Sequence, residues 1–168
     1  MATQALVAPA EYLRMSFDGL DREYVEGVLM ERGTATYLHS KIQGLLCALF
    51  WTLAKRYPIF PAPELRLAVD PQRRYRIPDV AVFAGEEPTQ PVPETPPLVA
   101  IEIASPDDRL SETLKKFEEY RHWGIEHIWL VDPVEKTFYT YDSTGLHPAA
   151  SFELTRYGFV ITLTDLGL

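Results

Sequence analysis

Residues 98–104 read LVAIEIA, an apolar run with a single carboxylate, Glu102, inside it. A short continuous apolar run of this kind marks a strand buried on both faces, the middle of a sheet covered by helices. Alternation along that strand puts Glu102 on the same face as Leu98, Ala100 and Ala104, so its carboxylate points into a helix-covered layer or a pocket. Left ionised and unpaired there, it would cost several kcal/mol, so Glu102 requires a cation. An arginine or lysine would satisfy it, and so would a metal ion.

Upstream, residues 76–83 read RIPDVAVF and set a second carboxylate, Asp79, at the mouth of another apolar strand. Alone, an aspartate after proline is an ordinary turn or strand-start residue. If the two strands are neighbours, Asp79 and Glu102 come together. Mg2+ takes oxygen ligands in a tight octahedron, commonly one or two carboxylates completed by waters and a substrate phosphate, and this pair supplies that set.

Beyond these strands the chain reads as α/β or α+β, with a central mixed sheet flanked by helices. Residues 22–32, REYVEGVLMER, predict an N-terminal hairpin turning at Glu26-Gly27. Leu38, Ile42, Leu45, Leu46 and Leu49 recur at helical spacing and predict a helix from Thr36 to Arg56. Strands are expected at Glu64–Val69, Asp79–Phe83, Leu98–Ala104, His127–Val131, Lys136–Tyr141 and Phe159–Leu163, the last two finishing the sheet. A helix capped by Asp107-Asp108 and ending before Gly124 should turn Leu110, Leu114 and Phe117 inward. Two proline-rich stretches, 58–63 and 88–97, are expected as loops because proline removes backbone donors.

At 168 residues, 46% hydrophobic and 24% charged, the chain has the size and balance of one folded domain over 1–168, with 1–15 as an N-terminal arm. One cysteine, Cys47, excludes an internal disulfide and paired-cysteine zinc sites. Neither a secretory leader nor an apolar run of membrane-spanning length is apparent, so a cytoplasmic protein is expected. P-loop, dinucleotide-binding and HExxH patterns are absent. The net charge of -8 opposes a broad, sequence-blind grip on nucleic acid, although a local basic patch can coexist with it.

The stretch PPLVAIEIASPDDRLSETLKKFEEYRHWGIEHIWLVDP, with RIPDVAVF before it, resembles the Uma-type family of endonucleases, a branch of the PD-(D/E)XK, restriction-endonuclease-like superfamily. Glu102, Ser105-Pro106, Arg109, Glu112, Lys116, Tyr120, Gly124-Ile125 and Trp129 to Pro133 occur in the family's order. Glu23, Gly27 and His39 fit its upstream part more loosely. One departure stands out: the superfamily's usual lysine, two residues after the second acid, is here Ala104. Helical spacing leaves Lys115 and Lys116 equally placed, and the resemblance points to Lys116. Without it, Lys116 reads as a solvated partner of Glu112.

What the resemblance implies is Mg2+- or Mn2+-dependent hydrolysis of phosphodiester bonds, with DNA as the partner; because two-strand cutting is commonly achieved by pairing two sites through twofold symmetry, a homodimer is expected. Asp79 and Glu102, with the backbone carbonyl of Ile103, would hold the metal. Lys116 would orient or deprotonate the attacking water or offset phosphate charge. Glu23 would be a further acid, or simply an exposed hairpin charge. Arg76, in the cluster with Arg73 and Arg74, would meet phosphate or lie in a solvated loop, Arg109 would meet phosphate or pair with Glu112, and His39 would face the pocket or the surface. Two rivals remain: a nuclease fold that no longer cuts and serves as a binding module, and a two-carboxylate hydrolase of the glycosidase kind, which leaves Lys116 without a role.

Overall fold

The computed structural model describes residues 6–106 and 108–168. Its centre is a six-stranded mixed sheet built from β3 (Ile59–Pro63), β6 (Val80–Ala84), β7 (Val99–Ile103), β8 (His127–Asp132), β9 (Thr137–Asp142) and β10 (Gly145–Ala149). Their order is β10-β9-β8-β7-β6-β3. Only β7 and β8 run parallel, joined by helix α3 (Leu110–Trp123); every other pairing is antiparallel. The expected mixed sheet flanked by helices is what the chain forms.

Alternation sorts the side chains of β7 onto two faces. Val99, Ile101 and Ile103, with Val80, Val82, Trp129 and Val131, pack under helix α2 (Tyr37–Ala54) through Ile42, Leu46, Phe50 and Leu53. Ala100, Ile128 and Leu130 meet Phe117 and Tyr120 of α3 on the opposite face. Burial of such side chains stabilises by about 1.5–3 kcal/mol each, and this two-layer cover is what holds β7 at the sheet centre. Thr36 starts α2 by accepting the His39 amide on its hydroxyl. Gly124 ends α3 at φ 103°, a left-handed conformation that an L side chain rarely adopts.

A second, four-stranded sheet runs β2-β1-β5-β4, from β1 (Glu23–Val25), β2 (Val28–Met30), β4 (Leu67–Asp70) and β5 (Arg74–Arg76). The predicted hairpin is there, with Glu26 (φ 51°) and Gly27 (φ 87°) at its turn. A short helix, α1 (Pro9–Tyr12), closes this sheet: Tyr12 is fully buried and packs on Tyr24 and Tyr75. Within the expected arm, Tyr12 and the backbone of Val7, bonded to Gly27 and the Tyr24 hydroxyl, anchor the chain to this sheet; residues 1–5 lie outside the described residues. No helix among the described residues is long and apolar enough to cross a membrane.

Several expectations are corrected. The proline stretch 58–63 is not a loop, because Ile59–Pro63 forms an edge strand against β6. The Ile59 amide turns to the Tyr57 carbonyl, so residues 59, 61 and 63 present their amide positions away from β6, where Pro61 and Pro63 remove no ladder bond. Residues 74–76, read as a possible loop, form β5 between β1 and β4. Phe159–Leu163 does not finish the main sheet: β12 (Phe159–Ile161) pairs with β11 (Phe152–Leu154) in a separate ribbon, and β10 takes the edge. Leu110 faces solvent and the inward stripe of α3 is Phe117 and Tyr120, one notch round from the predicted one. Asp108 does not cap α3; it accepts the Ser105 amide, Arg109 occupies the cap position, and Asp107 lies outside the described residues.

Candidate active site

The start of β6 and the end of β7 are neighbours, and there the sheet opens into a cleft of about 330 Å³. Asp79, Glu102, Ile103, Lys116, Glu23 and His39 all line it. Glu102 and Ile103 reach it from β7, Glu23 from β1, His39 from α2, Lys116 from α3 and Asp79 from just before β6.

Asp79 stands just before β6, its backbone carbonyl accepting from the Gln43 side chain (2.9 Å) and the Glu64 amide (3.2 Å). Its Oδ2 accepts the Ile103 amide at 2.7 Å and lies 3.2 Å from His39 Nε2, while Oδ1 accepts from Arg32 Nη2 at 3.1 Å. Burial opposes its ionisation, but the hydrogen bond and charge of His39, the charge of Lys116 and the Ile103 amide outweigh it and hold the carboxyl below its usual range. The same contact raises the His39 pKa. His39 is thus buried beside Asp79 rather than on the surface.

Glu102 emerges on the α3 face of β7, as the alternation requires. The Tyr120 hydroxyl donates to its Oε1 at 2.9 Å, and Lys116 Nζ stands 2.8 Å from the same oxygen. Lys116 Nζ also lies 2.6 Å from Glu23 Oε1 and donates to the Ile77 carbonyl at 3.2 Å. Lys115 points outward and takes Glu112 at 2.9 Å, so the pairing that Lys116 would have made on a solvated face belongs to its neighbour. The rotated stripe of α3 explains the choice: 113, 116, 117 and 120 share one face at i, i+3, i+4 and i+7.

Glu23 is fixed at both of its oxygens. Its Oε1 accepts the Ile77 amide (2.9 Å) as well as facing Lys116, and Oε2 receives Arg76 Nη1 at 2.8 Å. Burial works against ionisation, but Lys116 and Arg76 prevail and hold its pKa down to about 2. Glu102 has the opposite fate. Burial pushes it up, the charges of Asp79 and Glu23 add to this, Lys116 offsets them only in part, and the pKa stands at about 7. One ammonium serves two carboxylates, and only Glu23 has an arginine besides. Burial disfavours the ammonium of Lys116, yet these two acids more than compensate and raise its pKa.

Arg76 is buried, with Nε and Nη2 on the two oxygens of Glu119 at 2.7 and 2.9 Å and Nη1 on Glu23. Its fork is fully engaged, by Glu119 through two nitrogens and by Glu23 through the third. Arg109 stands exposed on the rim, with no carboxylate within salt-bridge distance among the described residues. Reasoning from sequence missed Arg32, Glu119 and the hydroxyl contact of Tyr120. Tyr120 was within reach, since it sits one turn after Lys116 on a face already suspected of meeting Glu102; nothing in the sequence around Arg32 marks it.

Among the described residues, no three side chains of the His, Cys, Asp or Glu type converge on a common point for a metal ion. The donor set that does fit a hard divalent cation is two carboxylates and a carbonyl. Because the Ile103 amide turns to Asp79, and the amide and carbonyl of one strand residue point to the same side, the Ile103 carbonyl faces that side too.

The family model described as "Uma2: Putative restriction endonuclease" matches residues 9–155, most of the chain. The chain belongs to the Uma2 family. Among solved structures, a "putative nuclease belonging to DUF820" from Anabaena variabilis, a crystal structure at 1.96 Å, superposes with a TM-score of 0.83 at 22% identity, covering 95% of this chain and 97% of that one. That likeness establishes a shared fold. No curated protein matches. For a Uma2-family chain, then, the coarse activity is that of a nuclease, with nucleic acid as its substrate.

Proposed function

We propose that this protein is a divalent-metal-dependent endonuclease that hydrolyses phosphodiester bonds of DNA. The observation that carries the reading is the convergence of Asp79, Glu102 and Lys116 on one cleft from two strands and a helix. Asp79, Glu102 and the Ile103 carbonyl would hold Mg2+ or Mn2+; when bound, such an ion supplies Lewis acidity to a phosphodiester and to water. Glu102, largely buried and short of positive charge, is suited to a cation of higher charge than one shared ammonium.

Lys116 stays an ammonium under the combined pull of Glu102 and Glu23, so its part is to orient the attacking water and offset charge growing on the phosphate rather than to remove a proton. Glu23 positions Lys116 at 2.6 Å and is itself fixed by Arg76. Tyr120 fixes the other carboxylate. Arg109 on the rim is placed to meet a neighbouring phosphate. A twofold pair of such sites in a homodimer would cut both strands, and a cytoplasmic location would bring the enzyme to DNA.

The net charge of -8 favours a second reading, a binding module on the same fold that no longer cuts. Incubating single- and double-stranded DNA with Mg2+ or Mn2+, beside an Asp79→Asn variant and a chelator control, separates the two. Metal-dependent cleavage by the wild type that Asp79→Asn abolishes supports the enzyme. Metal binding or DNA binding without cleavage supports the module.

A further inference from the structure

Asp79 has two carboxylate oxygens, and they are not equivalent. Oδ2 is committed to the Ile103 amide and His39, which leaves Oδ1 as the oxygen open to a cation. That oxygen is held by Arg32 Nη2 at 3.1 Å. Arg32 comes from residues 31–36, an irregular segment between β2 and α2. Its second nitrogen, Nη1, is buried without a hydrogen-bond partner and makes only a 3.8 Å ion pair with Glu64. The guanidinium therefore covers Oδ1 of Asp79 while its other terminal nitrogen makes no hydrogen bond.

We propose that Arg32 is an exchangeable counter-ion: it neutralises Asp79 in the metal-free protein and passes to a phosphate of the nucleic acid when a divalent ion takes that carboxylate. The inference rests on the nuclease reading above and names how its site is loaded. Electrostatics require the exchange, since a divalent ion and a guanidinium sharing one oxygen repel each other at close range. Chemistry supplies the destination. A phosphate diester presents two oxygens to a planar fork, and engaging both would satisfy the nitrogen that lacks a partner at Asp79. Metal and nucleic acid then bind with positive coupling, each favouring the state in which Arg32 has left Asp79.

The test compares wild type, Arg32→Met and Arg32→Lys by titration with Mn2+ alone, and then by anisotropy with a cleavage-resistant phosphorothioate duplex at saturating Mn2+. In Arg32→Met, Mn2+ binding should tighten about tenfold, because the competing charge is gone. Duplex binding should weaken about tenfold, because a phosphate contact is lost. Arg32→Lys keeps the charge and guards against a merely misfolded variant: its Mn2+ affinity should stay within about twofold of wild type, while its duplex affinity falls for want of the fork. Opposite signs for the two ligands in Arg32→Met support the exchange. Mn2+ affinity that is unchanged or weaker in Arg32→Met, with the wild type binding Mn2+, overturns this inference and leaves the nuclease reading standing. Silence toward Mn2+ in wild type and both variants overturns the two together.

Discussion

Replacing Glu23 by glutamine removes one charge from a buried triad while keeping the shape of the side chain. Glu23 is held from 4.5 down to about 2 by Lys116 and Arg76 against the opposing effect of burial. A fall of that size corresponds to about 3 kcal/mol of folding free energy carried by the ionised form. The side chain is 7% exposed, so solvent screening takes little of this away. Because the folded-state pKa is depressed, the contribution is complete above the unfolded value of 4.5 and is lost as pH falls through about 2. Glu23→Gln should therefore lower stability by about 3 kcal/mol at pH 7, or roughly 6–12 °C in Tm for a chain of this length. By pH 3 the gap between variant and wild type should shrink to roughly half. Urea denaturation of both proteins in EDTA, at the two pH values, measures it. A loss below about 1 kcal/mol, or one that is the same at both pH values, would refute the assignment of Glu23 as the charged anchor of Lys116 and Arg76.

Three further outcomes are expected. Lys116→Met should slow cleavage by about 10²–10⁴-fold, with Mn2+ binding retained in calorimetry, whereas Lys115→Met should change the rate less than twofold, because Lys115 faces solvent. Tyr120→Phe removes the hydroxyl that donates to Glu102; it should weaken Mn2+ binding several-fold, read in the same titration, while the ring keeps its packing against Phe117. Phe50→Ala, in the fully buried layer between α2 and the sheet, should destabilise by about 3–5 kcal/mol in chemical denaturation while the folded fraction still binds metal.

Much of the architecture was legible because it follows from local rules. LVAIEIA announces a central strand, and its alternation puts Glu102 on the face of Ala100 and Ala104, which α3 covers, while Leu98, expected on that face, packs on the α2 side. Glu26-Gly27 announces its hairpin, and Gly124 its helix end. What escaped depends on contacts between distant segments. Prolines read as loop signals at 58–63, but an edge strand tolerates them on its free side, and only the partner β6 defines which side that is. Arg74–Arg76 has too much charge to look like a strand, yet Arg76 is neutralised by Glu23 and Glu119, far away in sequence. In the same way the stripe of α3 was misjudged because hydrophobicity put Leu110 inside, whereas the acids of β1 and β7 draw Lys116 inward and turn Leu110 to water. Arg32 had no sequence signal, since its partner is defined only once β2, α2 and β6 meet.

The displaced lysine follows from the same geometry. A lysine two residues after Glu102 would project from the face of β7 that Glu102 itself occupies, and in this chain that position is Ala104, packed beneath α3. The ammonium that meets Glu102 comes instead from the helix above that face. The substitution has a consequence that a strand-borne lysine would not share. Reaching down from α3, Lys116 passes between two sheets and meets Glu23 of the smaller one as well as Glu102 of the larger. One ammonium therefore divides its charge, Glu23 is fully satisfied with the help of Arg76, and Glu102 is left only partly compensated. That residual deficit lies beside Asp79, whose open oxygen is covered by nothing firmer than an arginine on an irregular segment. On the proposed metal-dependent reading, an acidic chain would thus offer a cation a defined place to bind, because the deficit is concentrated between two strands rather than spread over the surface.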